Sequence, residues 1–170
     1  MAACPGMDVD TDVALAQAVQ LREEGTEQAC EQLARLSDRH PQSAAIAYQG
    51  AWAHDSLGLE AEAVALYERA LSGSGLSADD RSGAFLGLGS TYRGLGRYDL
   101  ALATLRRGLE ESPEDAALQT FLAMALYNVG ESREAVRTLL KVTAATSADP
   151  GVQRYRRAID YYADHLDETQ

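Results

Sequence analysis

The feature that most constrains this chain is an interval. A small residue is followed by glycine seven positions later, four times over: Ala18 and Gly25, Ala51 and Gly58, Gly89 and Gly96, Ala123 and Gly130. An alanine follows each glycine, at Ala29, Ala63, Ala101 and Ala135, and these are spaced 34, 38 and 34 residues apart. Four residues beyond each alanine stands a large apolar residue: Leu33, Tyr67, Leu105 and Leu139. Such a period marks a chain of stacked supersecondary units rather than one irregular core. The landmarks have physical reasons. Small residues let paired helices approach closely. Glycine ends the first helix because it takes the left-handed conformation without a Cβ clash. Pro41 and Pro113 close the first and third units, since proline cannot extend a helix.

The third unit, SGAFLGLGSTYRGLGRYDLALATLRRGLEESPED from Ser82, carries the pattern most clearly. Phe85, Leu88, Gly89, Tyr92, Gly96, Ala101, Leu105, Gly108 and Pro113 stand at the signature positions of the tetratricopeptide repeat, with Phe85 where that family has tryptophan. The chain resembles this family, in its small bacterial-type form, over about residues 11–165. The resemblance implies an all-α, right-handed α-solenoid of four helix-turn-helix units plus a C-terminal capping helix. Gly89 and Ala101 would be close-packing contacts, as would Gly108, and Tyr92 and Leu105 would fill the space between adjacent helices.

The units expected are about 11–43, 44–76, 82–115 and 116–149, followed by a capping helix at 150–167. They form a single domain over 11–170, preceded by a disordered segment at 1–10. The first unit has one residue fewer between Gly25 and Ala29, so its turn should be tighter. The link SGSGLSADD at 72–80 is longer than standard and is either a harmless insertion or a small hinge; Ser77 and Asp79 suit the cap of the next helix. Asp149 caps and Pro150 opens the last helix. Its Ala158 and Tyr161 repeat the spacing of Gly89 and Tyr92, so it reads as a lone first helix covering the flank of unit four. Nine helices and essentially no strand are expected.

Composition excludes several functions. The 170 residues carry a formal charge of −11, against non-specific grip on a nucleic-acid backbone. Residues 1–76 hold 12 acidic and 4 basic side chains, and residues 77–170 hold 14 and 11. No apolar run is long enough to span a membrane. The start, MAACPGMDVD, lacks the basic and apolar regions of a secretory signal, and too little precedes Cys4 to make it a lipidation site; Met7 is an alternative initiator. Two cysteines make no disulfide scaffold, and the expected compartment is the cytoplasm.

No constellation points to catalysis. His40, His54 and His165 form no metal spacing with one another or with cysteine or carboxylate. His54 occupies the packing position that Tyr92 holds in unit three. GLGSTYRGLG is repeat glycine rather than a phosphate loop, since no strand precedes it and no Gly-Lys-Ser/Thr follows. Cys4 and Cys30 have neither a CxxC spacing nor a paired histidine. The expectation is a non-enzyme with no metal and no cofactor.

By the resemblance, first helices line a concave face, with positions 5, 9 and 12 of each unit pointing inward. These are Leu15, Val19 and Arg22; Tyr48, Trp52 and Asp55; Leu86, Ser90 and Arg93; Thr120, Met124 and Tyr127; and, in the last helix, Tyr155, Ile159 and Tyr162. The lining is largely apolar and aromatic. The lysine and asparagine of the family's two-carboxylate clamp for chaperone tails are missing from these positions, although Arg93 can anchor a single carboxylate. Arg154, Arg156 and Arg157 form a basic cluster near the end, which reads most simply as counter-charge for neighbouring acids. The function expected is a protein-interaction scaffold taking a peptide or helix in its groove. The alternative is a structural subunit that self-associates as a homodimer.

Overall fold

A computed structural model describes residues 9–169; the N-terminal residues ahead of Val9, Cys4 among them, lie outside it, so the disorder expected for 1–10 falls mainly beyond the described residues. The described residues form nine α-helices in sequence: α1 (Val9–Glu24), α2 (Glu27–Arg39), α3 (Ala44–Ser56), α4 (Glu60–Ser72), α5 (Ala78–Gly94), α6 (Tyr98–Glu111), α7 (Ala116–Asn128), α8 (Ser132–Thr146) and α9 (Pro150–Asp164). No strand occurs among them. The pattern is the all-α helical repeat that the spacing predicts.

The repeat is visible in its turns. Gly58, Gly96 and Gly130 take φ of 73°, 72° and 86°. In each turn the glycine N–H donates to the carbonyl three residues back: Asp55, Arg93 and Tyr127, at 3.0, 3.0 and 3.1 Å. The next N–H, of Leu59, Arg97 or Glu131, donates five back to His54, Tyr92 or Leu126, at 2.9, 2.8 and 3.0 Å. This is the Schellman arrangement, which satisfies the last carbonyls of one helix while delivering the chain to the next. The following helices α4, α6 and α8 begin without a side-chain cap bond. Between α1 and α2 lie only Gly25 and Thr26, and here Thr26 Oγ1 accepts from Ala29 N–H at 3.1 Å. The shorter turn keeps the Gly25 N–H bond to the Arg22 carbonyl and adds a hydroxyl cap on the first turn of α2.

The longer links also end in caps. Ser43, Ser77, Asp115 and Asp149 accept from the first-turn amides of α3, α5, α7 and α9. Pro150 opens α9 as expected.

Two compact units divide the chain, the first ending at Thr91 and the second beginning at Tyr92. In the first, α1, α2 and α3 pack mutually and α3 packs on α4. Ala18, Leu33, Leu36 and Ile46 are fully enclosed. Gly83 and Gly87 of α5 make room for two tyrosines. A Cβ at Gly83 would stand 2.3 Å from Tyr48 Oη, and one at Gly87 would stand 2.3 Å from both Cζ and Oη of Tyr67.

In the second unit, α6, α7, α8 and α9 pack in succession. Leu105, Leu118 and Leu126 are buried. Leu139 departs from its expected packing role: it is 40% exposed, against 0% for its repeat equivalent Leu105. It stands at the rim of a surface groove instead of under a neighbouring helix. The expected spacing in α9 is corrected too. Ala158 and Tyr161 are exposed, and Ala163 is the buried residue of that helix. Across the α8–α9 seam, Asp164 pairs with Arg137 and Lys141, both at 2.6 Å, and Asp160 with Lys141 at 3.1 Å. Arg133 also pairs with Asp167 beyond the helix.

Candidate functional site

The residues expected to line the inner face fall in both units. Tyr48, Trp52, Asp55, Leu86 and Ser90 belong to the first, and Arg93, Thr120, Met124, Tyr127 and Tyr155 to the second.

In the first unit, Tyr48, Trp52 and Asp55 share one face of α3 at i, i+4 and i+7. Their surroundings differ sharply. Trp52 is 44% exposed, whereas Tyr48 is only 6% exposed. Tyr48 is therefore a support and not a contact surface: its ring lies 5.9 Å from Trp52 and 6.4 Å from Tyr67, and its hydroxyl reaches the gap left at Gly83. The guanidinium of Arg22, from α1, lies 4.3 Å above the Trp52 ring, a cation–π contact that orients the indole.

Asp55 is half-buried. Its Oδ1 lies 3.1 Å from Thr91 Oγ1 and its Oδ2 accepts from Tyr67 Oη at 3.4 Å. Thr91 Oγ1 also lies 2.8 Å from the Gly87 carbonyl, so a single hydroxyl proton serves two acceptors. Burial pushes the Asp55 carboxyl above its ordinary range, opposed by the hydrogen bonds from Thr91 and Tyr67. Burial also pushes the Tyr67 phenol upward, assisted by the Asp55 charge, so it remains a donor. Leu86 and Ser90 are half-exposed on α5.

In the second unit a groove of about 370 Å³ runs along α7 and α8. Met124, Tyr127, Val136 and Leu139 line it with Ala123, Asn128 and Ala135, and Arg93 stands at its edge. Tyr127 is 69% exposed. The Nε of Arg93 is buried and has no hydrogen-bond partner among the described residues. Thr120 turns its hydroxyl back to the Ala116 carbonyl at 2.7 Å, within its own helix. Tyr155, on α9, is not among the groove's lining residues. Sequence reasoning missed Val136 and Leu139 because it assigned the groove to first helices alone. The signal available was an apolar pair three apart on α8.

A second cavity, of about 290 Å³ in the first unit, brings Cys30 and His54 together with Glu27 and Glu31. His54 is buried and its Nδ1–H donates to the Gly50 carbonyl at 2.7 Å, which gives the imidazole a structural role. Burial, then the charges of Glu31 and Glu62, push the Cys30 thiol up, opposite to the shift a nucleophile needs. Among the described residues no group of three or more His, Cys, Asp or Glu is placed to hold a metal, and no helix is long and apolar enough to cross a membrane.

Helix pairs in succession, three of them joined by the same glycine turn, define a helical-repeat protein. A family model described as Tetratrico peptide repeat matches residues 44–166. The chain belongs to the tetratricopeptide repeat family, and its fold is of the α-solenoid class. Repeats of this family generally mediate protein–protein interaction and are typically non-catalytic. The divergent first unit, with its two-residue turn, lies ahead of the matched span. No curated protein matches the sequence.

Proposed function

We propose that this protein is a non-enzymatic interaction module that binds a peptide or helix of a partner protein on the faces of its first helices. The observation that carries this reading is the exposure of Trp52 and Met124 at the same repeat position, with Tyr127 exposed one turn beyond Met124. Covering apolar surface is worth about 25 cal/mol per Å², and large aromatic side chains dominate interface energetics when a partner encloses them. Trp52 is already oriented by Arg22 and backed by Tyr48, so little ordering remains to be done on binding. Arg93, at the edge of the apolar groove, orients the partner by donating from its guanidinium to a carboxylate. In this reading the protein works in the cytoplasm, where the buried free thiol of Cys30 stays reduced.

Wild type, Trp52→Ala and Tyr127→Ala test the proposal as baits in quantitative affinity capture from native lysate. Proteins retained by wild type should be depleted with either variant. Helicity should persist, and Trp52→Ala should cost only about 1 kcal/mol, the scale of the exposed cation–π contact it loses. Unchanged capture, or collapse of the fold on losing Trp52, would refute the reading.

A further inference from the structure

The cavity of about 290 Å³ in the first unit is lined by side chains that the first-helix faces do not use. Glu27, Cys30, Glu31 and Ala34 reach it from one face of α2, at i, i+3, i+4 and i+7. His54 reaches it from α3, and Leu57 and Leu59 from the turn that follows. His54 stands two residues from Trp52, about 200° around the helix, so the cavity and the indole belong to opposite sides of α3.

The imidazole is buried, with 6% of its residue surface exposed, and only half satisfied. A carbonyl can only accept, so the 2.7 Å bond to Gly50 puts the ring proton on Nδ1. The bond that anchors His54 thereby fixes its tautomer. In the neutral ring Nε2 is a bare lone pair, and no protein group among the described residues donates to it. A buried acceptor left without a donor costs free energy that a ligand N–H would return. The other polar side chains around the cavity are of the same kind. The carboxylates of Glu27 and Glu31 only accept, and no lysine or arginine lines the space. Glu31 also meets Arg35 at 3.2 Å, but both side chains are largely exposed, and such a pair is worth little. Glu62 of α4 lies close enough for its charge to act on Cys30, as that of Glu31 does. Ala34, Leu57 and Leu59 supply apolar wall.

We infer that this cavity is a binding site for a primary alkylammonium group, which donates to His54 Nε2 and to the carboxylates of Glu27 and Glu31 while its stem lies against Ala34, Leu57 and Leu59. The count of donors selects the ligand. An ammonium has three N–H groups and no acceptor, which matches one imidazole nitrogen and two carboxylates. An anion would find no cationic side chain in the lining, and a neutral ligand would leave the carboxylates unanswered. The volume stands at the lower end of the range for small-molecule pockets, about 300–1,000 Å³, and suits a short-stemmed group. The same chemistry has two sources: a free amine, or a lysine side chain of a partner protein.

The test titrates the isotope-labelled full chain with n-butylammonium, using butanol and butyrate as neutral and anionic matches. Backbone amide shifts should move saturably over 27–34 and 54–60, the segments that line the cavity. Butylammonium should bind at least about tenfold tighter than either match, a difference of about 1.4 kcal/mol. Long-range proton–nitrogen correlation should show the larger ring shift at His54 Nε2. Glu27→Gln with Glu31→Gln should weaken butylammonium about fivefold and leave butanol unchanged, the scale of two exposed charge contacts. Both positions are exposed, and unchanged circular dichroism checks that the fold persists. Trp52→Ala should leave the affinity unchanged, which separates this cavity from the first-helix faces. Nα-acetyl-lysine methylamide distinguishes the sources: binding as tight as butylammonium identifies a partner's lysine, and exclusion identifies a free amine, and either upholds the site. The inference is overturned if no saturable shift occurs, if butanol or butyrate binds as tightly, or if amine binding survives the two glutamine substitutions. Zinc uptake that closes the cavity to the amine overturns it too, since Cys30 and His54 would then be metal ligands.

Discussion

Gly87→Ala is the substitution that probes most directly how the first unit holds its site. The added Cβ would stand 2.3 Å from the Tyr67 Cζ and Oη and 2.8 Å from Cε1, far inside contact distance. Tyr67 is almost fully buried, so its ring has little room to withdraw. Overpacking of this kind costs about 1–3 kcal/mol. Displacing the phenol also stretches its 3.4 Å bond to Asp55, which is already long and adds at most about 0.5–1 kcal/mol. Against this, alanine is favoured over glycine inside a helix by up to about 1 kcal/mol. The balance is a destabilisation of about 1–3 kcal/mol, or a fall in melting temperature of roughly 3–10 °C for a chain of this size. Gly94→Ala is the control: no atom lies within 4 Å of its Cβ position, so only the propensity gain remains and stability should hold or rise slightly. Melting followed by circular dichroism, with urea unfolding for the free energies, compares the two. If Gly87→Ala melts at or above wild type, the claim that this glycine exists to admit Tyr67 is wrong. Tyr67→Phe in the same background should restore little, because Cζ and Cε1 of the ring still meet the added Cβ at 2.3 and 2.8 Å.

Two carboxylates should give pH dependences of opposite sign. Hydrogen bonds from Lys141 and Arg137 hold Asp164 below its ordinary range, so their contribution is present above the unfolded carboxylate pKa and disappears as pH falls through the lower folded value. Hydrogen-exchange protection of α9 amides, corrected for intrinsic rates, should therefore stay level down to mildly acidic pH and then drop, and Asp164→Asn should remove the drop; an unchanged profile would sink the reading. Asp55 is raised by burial, so the folded state keeps its proton longer than the unfolded one and stability falls as pH rises through that interval. Asp55→Asn should thus raise the melting temperature at neutral pH and leave it unaltered well below the carboxylate range, and a loss at neutral pH would show that the charge is needed.

The legible part of this protein is local. Gly58, Gly96 and Gly130 announce their turns because a left-handed residue is required there whatever surrounds it. Ser77, Asp149 and Pro150 announce helix starts for the same reason: a cap acts on the amides of its own first turn. The missing residue before Ala29 foretells the tighter turn after α1. The resemblance of the third unit to its family extends these local signals to a whole architecture.

The site was legible only as a direction. Periodicity places Tyr48, Trp52 and Asp55 on one face of α3, and they share it. It does not tell that Tyr48 is buried under its neighbours while Trp52, one turn on, stands in solvent. It equates Leu105 with Leu139, although the first is enclosed and the second borders a groove. It groups three arginines with nearby acids, although α8 had claimed those acids. By itself, then, the sequence determined the helices, their turns and the repeat, because each of these is settled by bonds within a few residues. Tertiary structure alone decided which side chains are covered and which charges remain unpaired. Exposure and pairing depend on the elements that arrive from elsewhere in the chain, and helical spacing carries no information about them.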